Sequence, residues 1–127
     1  MSARGELVPI VLVPRFSSFF GAGEYATVPL DISAFAGGGA TLWRGKMVGT
    51  SPTFELYTES SHDGYAWFGY PIGGGGVPIP YDPGDDGSME VGVGLQHRYF
   101  RVRIVLGGTD PGVTCWLAGM LEYRVDT

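Results

Sequence analysis

The chain of 127 residues is predicted to be all-β: an antiparallel β-sandwich, jelly-roll-like, of about eight strands. Three observations carry the prediction. The 22 glycines and 9 prolines follow no collagen period and punctuate the chain too often for long helices. Several windows alternate apolar and polar residues, "RYFRVRIVL" most clearly, while no window free of Gly and Pro shows an apolar period of 3.6. The tetrapeptide Gly-Thr-x-Pro occurs twice, at Gly49 to Pro52 and Gly108 to Pro111, each time ahead of an alternating run. Apolar residues at 44% against 17% charged suffice for one core at this length.

Prolines 9 and 14 bracket "IVLV", so residues 1–20 read as an extended N-terminal arm or an edge strand. Residues 21–127 read as one sandwich domain. Within it "EYATVPLDISAF" is an interrupted strand, and Gly37 to Gly39 reset the chain. With the first Gly-Thr-x-Pro as a hairpin loop, residues 40–48 face 53–60. Trp43, Gly45 and Met47 then point inward with Thr58, Leu56 and Phe54; Lys46 lies opposite Glu55 and Arg44 opposite Tyr57 on the solvent side. Asp63-Gly64 predicts a tight turn and a further strand over 65–68. The Gly/Pro-rich stretch 69–88 reads as a long surface loop, with one short strand near Val77 to Ile79. "MEVGVGL" resumes alternation. With residues 107–112 as the second hairpin loop, Phe100, Val102, Ile104 and Leu106 lie opposite Gly119, Leu117, Cys115 and Val113 as a core face.

A net charge of −5 weighs against phosphate neutralisation, so no direct nucleic-acid partner is expected. No segment has the roughly 20 apolar residues that span a bilayer as a helix, and the opening "MSARGELVPIVLVPRF" does not read as a signal peptide. One cysteine, Cys115, excludes an internal disulfide and suits a reducing cytoplasm.

No catalytic pattern is present, and the chain is expected to be no enzyme and to need no cofactor or metal. Glu55 and Glu59, four strand residues apart, stand about 13 Å from one another, beyond glycosidase spacing, and read as solvated charges. "DPGDDG" at 82–87 departs from the calcium-loop spacing and reads as an acidic turn. His62 and His97 show no ligand spacing, and Cys115 falls on a core face. "GAG" at 21–23 and "GGGG" at 73–76 lack the strand-then-helix context of a phosphate cradle.

A surface remains. The outward face of the last predicted hairpin collects Tyr99, Arg101 and Arg103 beside Trp116, Ala118 and Met120, with Arg103 across from Trp116; aromatics, Arg and Met are enriched at protein interfaces. The arm residues Leu7, Val8, Pro9, Ile10, Val11, Leu12 and Val13 are expected to extend this interface by adding a strand to a neighbour's sheet.

The stretches "GTSPTFELYTESSHDG" and "RYFRVRIVLGGTDP", within residues 26–125, resemble small β-sandwich proteins of tailed-bacteriophage head-gene clusters, the capsid decoration or cement proteins. The resemblance implies a structural virion protein on the outer surface of the capsid, made in the bacterial host cytoplasm. Its implied partners are the major capsid protein, whose neighbouring subunits it bridges, and itself, as dimer or trimer. A carbohydrate-binding or tail-fibre module is the alternative, with Trp43, Trp67 and Tyr70 as stacking surfaces.

Overall fold

A computed structural model describes residues 5–69, 79, 86–93 and 97–125. The chain order is β1 (Leu7–Phe20), β2 (Gly23–Ala26), β3 (Leu30–Asp31), β4 (Phe35–Arg44), β5 (Val48–Ser61), β6 (Phe68–Gly69), β7 (Gly87–Gly92) and β8 (Tyr99–Tyr123). All pairings are antiparallel, and the described residues contain no helix, as the frequency of Gly and Pro requires.

Everything is organised by β8. Its first half pairs with β2 and β3 on one edge and β5 on the other; its second half pairs with β1 on one edge and β4 on the other. Outside these, β6 joins β5 and β7 joins β4. A straight 25-residue strand would be about 80 Å long, yet the two ends of β8 meet. Ile32 N–H donates to the Arg98 carbonyl and Arg124 N–H to that of Ala34, and residues 32 and 34 lie no more than about 7 Å apart. The strand therefore folds over, and the curled sheet forms two layers. The first contains β2, β3, the first half of β8, β5 and β6; the second contains β1, the second half of β8, β4 and β7.

The fold line is where the repeated tetrapeptides sit, and they face one another, with Thr50 opposite Thr109. Gly49 (φ +113°) and Gly108 (φ +102°) occupy matching positive-φ positions, as do Ser51 (φ 49°) and Asp110 (φ 48°). A Cβ built on Gly49 would lie 2.6 Å from the Asp110 carbonyl oxygen and 2.9 Å from the Pro111 Cα; on Gly108 it would lie 2.6 Å from the Ser51 oxygen and 2.9 Å from the Pro52 Cα. An antiparallel pair has a local two-fold axis between its strands, so one bend sequence serves both. The third ribbon bends beside them, at Phe16 (φ 66°), Gly21 (φ 97°) and Gly23 (φ 152°).

Both predicted hairpins are thereby corrected. Each Gly-Thr-x-Pro carries its strand from one layer to the other and does not reverse it. Glu55 pairs with Val105, not Lys46; Phe100 pairs with Ser60 and Leu30, and Gly119 with Ile10 and Ala40. The inward residues of β8 are still those expected: Phe100, Val102, Ile104, Leu106, Val113, Cys115 and Leu117 are all core. They meet across the fold, one half of the strand packing on the other. In β4 the phase is opposite to the expectation. Ala40, Leu42 and Arg44 are buried, so Trp43 shares the outward face with its neighbour Trp116, and the Arg44 guanidinium lies inside, 5.3 Å from the Phe54 ring centre.

Residues 7–20 are a sheet strand along β8, not a separate arm, because Leu12 and Val13 enter the same core. The Asp63-Gly64 turn forms, with Gly64 at φ 83°, and the strand after it is short, pairing Phe68 and Gly69 with Ser60 and Glu59. Of the predicted strand at 77–79, Ile79 makes one bridge to Leu56; the rest of that strand, Tyr70, the glycines at 73–76 and residues 82–85 lie outside the described residues.

Candidate protein-binding face

On the outer face of the second layer, directly paired residues share a side of the sheet. Val11, Ala118, Thr41 and Glu90 form one cross-strand row; Pro9, Met120, Gly39 and Gly92 form the next; Trp116 and Trp43 lie side by side beyond them. Leu7 and Val11 are each 61% exposed and Met120 is 48% exposed. The Arg15 guanidinium lies 5.9 Å from the Trp116 ring centre and 5.7 Å from that of Phe16. Glu90 accepts a hydrogen bond from Thr41 Oγ1 at 3.0 Å. Gly37 and Gly39 of β4 add no side chain to this face, and no described segment covers it.

The edge of β1 is a different matter. Tyr123 N–H donates to the Glu6 carbonyl, so residues 6, 8 and 10 address β8 while 7, 9 and 11 turn their backbone groups to the open edge. Pro9 has no N–H to offer there, which guards the edge against an added strand. The expected strand addition is thus opposed by the residue placed at its centre. Of the seven predicted interface residues in this segment, Leu7, Pro9 and Val11 lie on the exposed face. Val8 and Ile10 are half-buried on the other side, and Leu12 and Val13 are core.

Tyr99, Arg101 and Arg103 lie elsewhere, on the outer face of the first layer, because β8 changes layers between them and Trp116. Arg103 pairs with Tyr57 and Ala26 and not with Trp116. Glu59, expected in solvent, is buried: its two oxygens accept from Arg101 Nε at 2.9 Å and Arg103 Nε at 3.1 Å. Arg103 Nη1 also reaches Glu24 at 2.9 Å. The Arg101 guanidinium stacks 4.2 Å from the Trp67 ring centre, and Arg103 at 4.2 Å from that of Tyr57. The Tyr57 hydroxyl donates to the Glu55 carboxylate, which pushes its pKa up. This face has its charges satisfied internally, and truncating one member of such a network is costlier than the network is stabilising. It is a rigid wall. The predicted single surface is therefore two surfaces on opposite layers, and among the described residues only the second-layer one is apolar and without a covering segment.

The remaining chemical candidates resolve as follows. Cys115 is fully buried, and burial pushes its thiol up to about 11 from an ordinary 9.0, so it is no thiolate nucleophile. Unfolded, the thiol loses its proton near 9.0; folded, it keeps it to about 11. The folded state is thus undiminished below pH 9 and loses stability through the interval above. At about 1.4 kcal/mol per pH unit the loss reaches about 2–3 kcal/mol. Urea midpoints measured on either side of pH 9 should fall less for Cys115→Ala than for the wild type; parallel profiles would refute the assignment. His62 and His97, far apart in the chain, meet edge to face at 3.9 Å, with Ser60 Oγ 2.7 Å from His97 Nδ1. No local pattern signals this meeting, which follows from β5 pairing with β8. Among the described residues no three His, Cys, Asp or Glu side chains gather to hold a metal ion, and no helix is long and apolar enough to cross a membrane. Trp43 and Trp67 are on different layers, so they form no joint stacking platform. Comparison of the chain with protein-family models, with curated proteins and with solved structures returned no match.

Proposed function

We propose that the protein is a structural, non-enzymatic virion component that lays the outer face of its second layer on the outer surface of a tailed-phage capsid, bridging neighbouring major capsid subunits. The observation that carries this reading is the apolar face of Leu7, Pro9, Val11, Trp43, Trp116 and Met120, which no described segment covers and on which the two tryptophans are half-buried. Large aromatic and Met side chains gathered on one sheet face are the composition of a protein-contact surface. Repetition of one modest contact over many copies gives firm attachment through multivalency. The acidic balance of the chain suits a place outside a shell, away from packaged nucleic acid. The resemblance of "GTSPTFELYTESSHDG" and "RYFRVRIVLGGTDP" to capsid decoration proteins points the same way.

The test is co-sedimentation with empty heads lacking this protein. Wild type is expected to bind, and Trp116→Ala with Met120→Ala to bind about thirtyfold or more weakly, the loss of about 2 kcal/mol typical of a central anchor. Tyr99→Ala, on the opposite layer, should bind as the wild type does. Failure of the wild type to bind heads, together with binding to a polysaccharide in the same buffer, would replace this reading with a carbohydrate-binding one.

A further inference from the structure

The sequence contains two histidines, and the fold brings them together. The ladder between β5 and β8 ends at the pair Ser61–Tyr99, so His62, one residue past the end of β5, and His97, two residues before the start of β8, lie just beyond it. Their ring centres stand 3.9 Å apart, edge to face, and the Phe68 ring centre is 6.0 Å from that of His97. His62 is exposed and His97 half-buried. Ser60 Oγ, 2.7 Å from His97 Nδ1, holds that ring from β5.

The charged groups near the two rings have partners elsewhere. Asp63 Oδ1 accepts from the N–H groups of Tyr65 and Ala66 at 2.8 and 3.0 Å, and Ser61 Oγ accepts from Gly64 N–H at 2.8 Å, which fixes the turn that carries His62. Arg98, next to His97 in the chain, pairs with Asp31 at 3.0 Å, so its charge is answered. Glu59 is taken by Arg101 and Arg103. None of these carboxylates is bonded to an imidazole, and the ring nitrogens keep their capacity to bind something else.

We propose that His62 and His97 form a two-imidazole site for a transition-metal dication of the zinc, nickel or copper class. Imidazole nitrogen suits these ions, whereas calcium and magnesium require oxygen ligands. Metal on His97 Nε2 selects the tautomer whose Nδ1–H donates to Ser60 Oγ, the outer contact that a ligating histidine ordinarily makes. With metal–nitrogen bonds of about 2.0–2.1 Å, two ring centres on one ion stand roughly 4.5–5.2 Å apart, so the exposed His62 ring has only to turn out of its edge contact and move by about 1 Å. Among the described residues no third His, Cys, Asp or Glu joins the pair, and water completes the coordination, as at an open site. The ion would tie the end of β5 to the start of β8. The proposal stands apart from the shell-binding reading, since the pair lies at the end of the first layer and not on the apolar face of the second.

Titration of the untagged full chain with zinc, followed by calorimetry and by the NMR signals of the two imidazoles, tests it. The background is simple, because these are the only two histidines in the sequence and its one cysteine, Cys115, is fully buried. One zinc per chain should bind, with both rings shifting along the same saturation curve and neither shifting with magnesium. His62→Gln and His97→Gln should each weaken zinc binding about tenfold or more, and Ser60→Ala, which leaves both ligands in place, should weaken it about tenfold. Without zinc, His62→Gln should melt as the wild type does, since the position is exposed. A wild type that takes up no zinc at millimolar concentration, rings that respond at different zinc concentrations, or a glutamine variant that binds zinc as tightly as the wild type would each overturn the proposal.

Discussion

Gly108→Ala and Gly49→Ala are each expected to destabilise the fold by about 3–5 kcal/mol, enough to threaten a domain whose total stability is about 5–15 kcal/mol. Two penalties combine. Alanine at φ +102° or +113° costs about 1–2 kcal/mol in backbone strain. Its Cβ would also stand 2.6 Å from a carbonyl oxygen of the opposite corner, and that neighbour is backbone, not the tip of a side chain that can swing aside. Relief requires the two bends to separate, which opens the fold line of the whole sheet. Because each glycine packs on the other's tetrapeptide, the double variant should lose less than the two single losses together. Gly39→Ala is the control: its Cβ meets nothing within 4 Å and its φ is not positive, so it should shift stability by no more than about 0.5 kcal/mol. Urea denaturation reads all four proteins. A loss below about 1 kcal/mol at either corner would mean that the tetrapeptides do not face one another as described.

Deleting residues 1–13 is expected to abolish cooperative folding. This reverses what an extended arm would predict, and the reason is Leu12 and Val13, which lie in the core at 9% and 3% exposure. Losing two buried aliphatic side chains forfeits about 3–6 kcal/mol. The deletion also strips the second half of β8 of its ladder from Leu117 to Glu122, leaving a central strand as a bare edge. Near-UV circular dichroism and the thermal melt should both lose their cooperative transition. A truncated chain that still melts sharply within a few degrees of the wild type would show that β1 is dispensable after all. It follows that truncation is a poor probe of binding, whereas substitutions at the outward Leu7 and Val11 leave the core untouched.

Much of the candidate site was already visible as residue types, and its assembly was not. Leu7, Pro9, Val11, Trp116 and Met120 do gather on one exposed face, because Pro9 and Val11 of β1 pair with Met120 and Ala118 of β8. Tyr99, Arg101 and Arg103 do not join them. Alternation from Tyr99 to Leu106 and again from Val113 to Leu117 shows that each run has an inside and an outside. It carries no record that the chain folds between the runs, so that two outsides become opposite faces of the molecule. Glu59 reads as solvated for the same reason: its two arginine partners are 42 and 44 residues away in sequence.

By itself, the sequence determined the strand class, the inward residues of β8 and the positions of the two Gly-Thr-x-Pro corners. These depend on local causes: the period of two along a strand, the φ freedom of glycine and the missing N–H of proline. Only the tertiary structure decided which strands are neighbours, that the two Gly-Thr-x-Pro corners pair with each other, and that Trp43 faces out while Arg44 faces in. Ladder hydrogen bonds are the same for any partner strand, so the choice among partners rests on which arrangement buries the inward residues of all three ribbons at once. Folding β8 on itself, with a ribbon along each edge, closes Ile32, Phe100 and Leu121 into one core with Val13 and Cys115. Two separate hairpins would not bring these residues together.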